Sequence, residues 1–193
     1  MLTVGDVRAA MAGFGPQLLP RQPDMKKAAV AAVLRDGSDG AELLFIHRAE
    51  HPHDPWSGHM AFPGGRMSGG DRDELAAAIR ETREELGLDL AAEGEAIGRL
   101  SDVAAVSKGR PLSLVIVPFV FTIRGEPRLV LNHEVADFVW VPLAFLADHG
   151  NRSTVEWRLG GMTIPLPCYR FRDKLIWGLT FGMVDELLSI LAS

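Results

Sequence analysis

The sequence is poor in cysteine, in long apolar runs and in concentrated positive charge. Its one cysteine, Cys168, excludes an internal disulfide framework and a cysteine-based zinc site. The 20 lysines and arginines are scattered and outnumbered by 25 acidic residues, which disfavours a nucleic-acid polymer as partner because such a polymer needs a cationic surface. No run of about 18 apolar residues occurs, and the N-terminus lacks a basic lead before an apolar stretch. We therefore expect a soluble, cytoplasmic protein that does not enter a membrane.

Internal repeats and low-complexity tracts are absent as well, so the chain is expected to fold as a globular unit. Its 193 residues, 47% of them hydrophobic, are enough to bury the core of one domain with modest extensions. We predict a short helix followed by a proline-containing irregular arm in residues 1–26, and the domain itself in residues 27–193. The oligomeric state stays open, and a homodimer is among the alternatives.

Segments typical of strands and of helices alternate along this domain. Two β-prone runs flank the turn-rich residues 36–40, and an extended run at residues 60–66 ends in a Pro-Gly-Gly turn. Segments rich in β-branched and aromatic residues predict further strands at 112–123, 137–143 and 154–172. Apolar periodicity predicts helices at 143–150 and 176–193. This order favours an α/β domain in which helices are layered on a sheet.

The clearest predicted helix lies within residues 69–88. Asp71 or Asp73 is expected to cap its start, and Gly87 stands where a left-handed C-terminal cap belongs. One stripe of this helix should face the core, and it consists of Leu75, Ile79, Thr82 and Leu86.

Three glutamates, Glu81, Glu84 and Glu85, share an arc that we expect on the far side of this helix. Carboxylates this close repel one another, which favours a shared cation, and their hard oxygen atoms suit Mg²⁺ or Mn²⁺. A solvated acidic face is the alternative interpretation. Arg80 is expected to pair with an acid of the preceding loop, and Gly65 exposes backbone that a metal or phosphate can approach.

The glycine turn at residues 62–65 and the run Arg-Glu-Thr-Arg-Glu-Glu-Leu-Gly-Leu at residues 80–88 together resemble the Nudix box of the Nudix hydrolase superfamily. The interval between them is one residue longer than in the family box. Counting forward from the second glycine places Asp71 at the first box acid, whereas counting back from the arginine places Arg72 there. The first box acid is therefore either Asp71 or missing.

The longer interval resembles the coenzyme A pyrophosphatase branch of that superfamily. Other segments resembling the branch cover residues 28–190 in the right order, and they are residues 43–48, 132–135, 140–143 and 176–180. Trp56 stands where the branch usually carries a histidine. The resemblance implies an α/β/α sandwich with a mixed β-sheet. It also implies hydrolysis of a diphosphate linkage in a nucleotide-like metabolite, with coenzyme A or a derivative as the first candidate.

The resemblance further implies roles for particular residues. The Mg²⁺ or Mn²⁺ ligands would be Gly65 through its carbonyl, Glu81, Glu84 and Glu85. Glu84 or Glu85 would also position the attacking water. Glu134 would be an additional ligand or the general base, with a surface acid at a strand end as the alternative. Asp71 and Arg80 would support the site structurally.

Basic side chains and histidines add weaker candidates. Residues suited to neutralising substrate phosphates are Arg48, Arg66, Lys108 and Arg110, although a solvated surface cation is the more common explanation for each. A zinc site is an alternative for the loop that holds His51, His53, Asp54 and His59, although the spacing is irregular. Trp56 is expected either to line the substrate pocket or to pack this loop.

The alternatives for function belong to three classes. A Nudix hydrolase can act on other substrates, such as ADP-ribose, a nucleotide sugar or a modified nucleoside triphosphate. A non-catalytic Nudix-fold module would bind a nucleotide or a protein, but such modules commonly lose the box acids that this chain keeps. An interaction protein with an acidic helix would show no dependence on divalent cations. We therefore expect a small-molecule diphosphate as the partner.

Overall fold

A computed structural model describes residues 1–20, 24–52, 56–107, 110–159 and 161–193. The strands of its main sheet are β1 Lys26–Gly37, β2 Gly40–Arg48, β3 Met60–Ala61, β4 Gly64–Arg66, β5 Gly94–Arg99, β6 Val103–Ser107, β7 Arg110–Ile123 and β8 Val135–Pro142. The helices are α1 Val4–Ala12, α2 Glu74–Leu86, α3 Leu90–Glu93, α4 Leu143–Ala147, a 3₁₀ turn His149–Asn151 and α5 Gly178–Leu191. A smaller sheet contains β9 Arg152–Leu159, β10 Met162–Phe171 and β11 Lys174–Trp177.

The main sheet is mixed, and its central strands are β1 and β7. These two strands run parallel from the pair Lys26 and Leu114 to the pair Leu34 and Thr122, while β1 and β2 form the predicted antiparallel hairpin. The strand order is β3-β2-β1-β7-β5. In addition, β4 pairs with β1, β6 pairs with β7 and β8 pairs with β2. Residues 31–34 of β1 are fully buried, as expected of a strand covered on both faces.

Helices cover both faces of this sheet. One face packs against α1, α4 and α5 around a core that includes Val7 and Leu187. The other face packs against α2, through Leu86 in one cluster and through Ala77 and Ala78 in another. The predicted α/β/α sandwich with a mixed sheet is therefore confirmed.

The helix α2 has the predicted caps but a different buried face. Asp73 accepts a hydrogen bond from the Ala76 N–H at 2.7 Å, and Gly87 adopts the left-handed conformation with φ of 67°. The buried residues are Ala77, Ala78, Thr82, Glu85 and Leu86, whereas Leu75 and Ile79 are only partly buried. Placing all three glutamates on the far side was therefore wrong for Glu85, because two alanines let the helix lie close to the sheet on that side.

The C-terminal region also differs from prediction. The segment 154–172 forms two strands, β9 and β10, and residues predicted to begin the last helix instead form β11. Ile176 and Trp177 pair with Tyr169 and Cys168 of β10, so α5 begins only at Gly178. The elements α3, β5 and β6 carry no strong periodicity and were not predicted.

The N-terminal helix α1 packs against the domain. Thr3 and Asp6 form a capping box at its start, and Val7 and Met11 are buried in the core shared with α5. The Leu2 carbonyl accepts a hydrogen bond from the Ala41 N–H at 2.8 Å. Within the described residues, no helix is both long enough and apolar enough to cross a membrane.

Candidate active site

A cavity of about 480 Å³ opens between α2, the strands β3 and β4, and the start of α5. Its polar lining includes Arg48, Gly64, Gly65, Arg66, Glu81, Glu84 and Glu134. Its apolar lining includes Met60, Leu114, Ile116, Trp177, Leu179 and Met183. The structure thus brings residues from five separate parts of the sequence, 48–66, 81–84, 114–116, 134 and 177–183, to one opening, as a small-molecule site requires.

Glu85 lies behind the glycine turn and is almost completely buried, with 2% of its side chain exposed. Its Oε2 accepts a hydrogen bond from the Gly64 N–H at 2.8 Å, and its Oε1 is 3.9 Å from Nη1 of Arg48. Burial raises the pKa of Glu85 to about 8, and nearby Glu81 and Glu134 add to the rise, while the Gly64 N–H and Arg48 oppose it. A carboxyl in this setting gains its charged form when a cation comes near.

Glu81 and Glu84 reach the cavity at different depths. The Glu81 side chain is 17% exposed, whereas that of Glu84 is 56% exposed. Nη1 of Arg80 donates to both, at 2.8 Å to Oε1 of Glu81 and 3.1 Å to Oε2 of Glu84. Burial raises the pKa of Glu81, which Arg80 opposes. The two carboxylates therefore share one guanidinium at the mouth of the site.

Arg80 also connects the helix to the loop before it. Its Nε and Nη2 donate to the two carboxylate oxygens of Asp71, both at 2.9 Å, and Nη2 donates to the Arg66 carbonyl at 3.1 Å. Ser68 donates to Asp71 from its N–H and its hydroxyl. The Arg80 guanidinium holds the pKa of Asp71 well below its usual range. The bidentate pair of Asp71 and Arg80 is therefore in a position to support the site structurally.

The two glycines of the turn serve different purposes. Gly64 has a left-handed φ of 146°, and a Cβ there would lie 2.3 Å from the Ala29 carbonyl oxygen. Gly65 shows no such φ, yet its Cβ would lie 2.5 to 2.7 Å from all three carboxyl atoms of Glu81. The first glycine thus lets the turn pack on β1, while the second leaves room for a carboxylate beside the backbone.

The donor chemistry of this region fits a hard divalent cation. Gly65, Glu81, Glu84 and Glu134 line the cavity, the buried Glu85 lies next to them, and backbone carbonyl and carboxylate oxygens are the ligands such a cation prefers. Among the residues described, however, no three Asp, Glu, His or Cys side chains already converge as a metal cluster. Arg80 holds Glu81 and Glu84, so a cation would have to compete with its guanidinium.

The remaining candidate residues have various positions. Arg48, Arg66 and Glu134 line the cavity, and Glu134 is exposed just before β8. His51, Trp56 and His59 also line it, while Cys168 is fully buried in the core. Residues outside the described part of the chain are His53, Asp54, Lys108 and the side chain of Arg110.

Sequence reasoning missed the wall formed by the last strand and helix. Trp177, Leu179 and Met183 line the cavity, and the Thr180 hydroxyl donates to the Met60 carbonyl at 3.0 Å. The one sequence signal for this wall was the resemblance of residues 176–180 to the family branch. That resemblance indicated a relation to the family branch, but it did not indicate that these residues contact the site.

A layered sandwich whose box helix presents carboxylates over a diglycine turn defines the Nudix class of domains. A NUDIX domain profile matches residues 25–158, which is more than half of the chain. The chain therefore belongs to the Nudix hydrolase family, as the resemblance predicted.

Known relatives agree with this assignment. Nudix hydrolase 15, mitochondrial, of Arabidopsis thaliana is 30% identical over 204 residues, covering 97% of this chain and 68% of that protein. Mitochondrial coenzyme A diphosphatase NUDT8 of Homo sapiens is 32% identical over 154 residues, covering 78% of this chain and 63% of that protein. The chain spans between 32% and 68% of the length of the first curated relatives that it matches.

Among solved structures, a MutT/nudix family protein from Enterococcus faecalis shares the fold. Its TM-score is 0.57 at 18% identity, and the match covers 97% of this chain and 68% of that chain. At this level of identity, the likeness supports the fold alone.

Proposed function

We propose that this protein hydrolyses a diphosphate linkage in a nucleotide-like metabolite with the help of Mg²⁺ or Mn²⁺. The observation that carries the proposal is the group of three glutamates that α2 holds at different depths beside the cavity. Glu81 and Glu84 face the cavity, and the buried Glu85 is fixed behind them by the Gly64 N–H. Such a concentration of negative charge facing a cavity favours a divalent cation and, through it, a polyphosphate.

The metal ligands in this proposal are the Gly65 carbonyl, Glu81, Glu84 and Glu85. When bound, the cation supplies positive charge that neutralises the phosphoryl oxygens. The Gly64 N–H holds Glu85 in one orientation, and the Asp71–Arg80 pair fixes α2 to the loop that precedes it. These contacts keep the acids in position before substrate arrives.

The reaction itself needs only water, a proton acceptor and charge neutralisation. Water attacks one phosphorus, the bond to the bridging oxygen breaks, and the proton of the water passes to a carboxylate. Glu84 and Glu134 are our candidates to accept it because both are exposed residues that face the cavity. Arg48 and Arg66 line the same cavity and are our candidates to contact the substrate phosphates.

Coenzyme A or one of its derivatives is our proposed substrate. The support is the coenzyme A pyrophosphatase pattern of the sequence and the 32% identity to a relative named as a coenzyme A diphosphatase. We also propose a cytoplasmic location and a boundary between residues 1–26 and 27–193. Cell fractionation and limited proteolysis test these two points, and light scattering determines whether the chain is a monomer or the homodimer that is among the alternatives.

A substrate panel tests the proposed activity. The purified chain is incubated with Mg²⁺ and either coenzyme A, ADP-ribose, a dinucleoside polyphosphate or a nucleoside triphosphate, and products are identified by mass. We expect cleavage of the diphosphate linkage in coenzyme A, and we expect this activity to be lost when the cation is chelated. The absence of cleavage for the whole panel, or cleavage that survives chelation, would contradict the proposal.

Replacing Glu84 with glutamine tests the acids directly. The substitution removes one charge at nearly constant shape, so turnover should fall by well over tenfold while the thermal midpoint stays unchanged. Glu126→Gln is the matched control, because that side chain is 86% exposed and lies outside the cavity lining. Activity of Glu84→Gln within about tenfold of the parent would remove Glu84 from the proposed ligand set.

A further inference from the structure

The cavity has an aromatic wall centred on Trp177, a residue beyond the NUDIX-matched span 25–158. Trp177 ends β11, lines the cavity and lies 4.8 Å from the ring of His59, measured between ring centroids. On another side it meets Trp157 of β9, edge to face at 6.4 Å. His59 also lines the cavity.

Resting on the function proposed above, we propose that Trp177 forms a subsite that stacks the planar base of a nucleotide substrate. A ring held by two aromatic neighbours presents a flat surface of fixed orientation, and flat π surfaces bind bases by stacking. A flexible aliphatic group would gain little from that fixed orientation. The structure therefore favours a base over an aliphatic arm at this wall.

The wall is connected to the diphosphate site by a buried hydrogen bond and by the chain between His59 and Gly65. The buried Thr180 hydroxyl, two residues beyond Gly178, donates to the Met60 carbonyl in β3. From His59 the chain runs through β3 to Gly65, so these two residues are separated by no more than about 20 Å. Trp177 and the carboxylates thus face one cavity in a fixed relation.

This placement assigns two functions to two parts of the chain. The acids and glycines lie inside residues 25–158, which match the NUDIX domain, whereas Trp177 lies in the C-terminal segment beyond them. Family-wide chemistry and recognition of the base are then separable by substitution.

Calorimetric titration with ADP and with inorganic pyrophosphate separates the two functions, because these ligands differ only by the adenosine group. In Trp177→Leu we expect the affinity for ADP to fall by about 5- to 150-fold, the range for losing one base–aromatic stack, with that for pyrophosphate unchanged. Trp177→Phe should retain most of the ADP affinity. Trp140→Leu is the matched control, since the Trp140 ring, on β8, packs against Arg35 of β1 and lies outside the cavity lining.

A second measurement covers the case in which Trp177→Leu does not fold. In the unmodified protein, the indole N–H resonance that disappears in Trp177→Phe should shift with ADP and stay in place with pyrophosphate. The proposal is overturned if that resonance ignores ADP, if the parent binds neither ligand, or if both affinities fall equally. It is also overturned if 4′-phosphopantetheine, rather than ADP, loses affinity in Trp177→Leu.

The same samples distinguish this subsite from the proposed function. Trp177-dependent binding of ADP without cleavage of any diphosphate in the panel would retain the subsite and remove the activity. If cleavage continues while Trp177→Leu binds ADP as tightly as the parent, the activity is retained and the subsite is removed.

Discussion

Replacing Gly65 with alanine places a methyl group against the carboxyl of Glu81. The added Cβ would lie 2.5 Å from Cδ and 2.6 and 2.7 Å from the two oxygens, all closer than real contacts allow. The backbone at Gly65 is not left-handed, so alanine fits the chain itself. Because the clashing atoms end a flexible side chain, the carboxyl should withdraw by about 1 Å and leave the backbone in place.

The size of the effect follows from that displacement. A misplacement of about 1 Å in a catalytic site costs about 100-fold in rate, which corresponds to about 2.7 kcal/mol of transition-state stabilisation. Stability should change by less than about 1 kcal/mol, since no core atom moves. We therefore expect a protein that melts like the parent and turns over its substrate about 100 times more slowly.

Two neighbouring glycines provide the controls for this experiment. Gly69→Ala meets no atom within 4 Å and should leave both activity and melting unchanged. Gly64→Ala would place Cβ 2.3 Å from the Ala29 carbonyl at a left-handed φ, so it should lower the melting temperature together with activity. The assays are kcat and KM at saturating Mg²⁺ and thermal unfolding by circular dichroism.

Full activity in Gly65→Ala would refute the reasoning, because Glu81 would then tolerate displacement from the turn. A melting temperature as low as that of Gly64→Ala would refute it differently, by showing that the strain falls on the backbone. Only normal melting combined with slow turnover supports a carboxylate held beside Gly65.

Two further predictions concern stability. Asp71→Asn should cost about 2 kcal/mol at neutral pH, because the bidentate bond from the partly exposed Arg80 is lost. The folded-state pKa of Asp71 is depressed, so this stabilisation is present above about pH 4 and lost as pH falls further; urea unfolding of both proteins should show their difference shrinking in acid. A difference independent of pH would exclude the ion pair as its cause. Val7→Ala should lower the free energy of unfolding by about 2 kcal/mol, because it removes buried atoms through which α1 packs on the core. Val130→Ala is the control: its side chain is 61% exposed, so thermal unfolding should show no measurable change. Equal melting of these two variants would show that the contact of Val7 with the core contributes no stability.

The elements that could be predicted are those with strong local signals. The β1–β2 hairpin follows from two apolar runs around a turn, and the caps of α2 follow from Asp73 and Gly87. The start of α5 could not be read in this way. Ile176 and Trp177 fit the helical apolar pattern equally well, and only their pairing with β10 makes them a strand. Pairing with a distant strand leaves no local trace in the sequence.

The candidate site shows the same division. Glu81 and Glu84 could be proposed from their spacing on one helix and from the glycine turn upstream. Trp177 could not be connected with them, because the contact that brings it near passes through the Thr180 hydroxyl and the Met60 carbonyl. Such a contact depends on how the last helix packs, and neither residue carries a recognisable chemical signature.

Glu85 explains why a simple sorting of residues by polarity fails at this helix. A charged side chain is ordinarily assigned to the solvent face, yet Glu85 lies seven positions after Ala78, on the same line of the helix. The alanines bring α2 close to the sheet, and the Gly64 N–H then donates a hydrogen bond to the buried carboxylate. Burial fixes the orientation of that acid and raises its pKa, so the packing of the helix and the properties of the site have one structural cause. A glutamate in line with small residues, three or four positions from other acids and downstream of a glycine turn, is therefore the pattern that should be tested as a buried site acid.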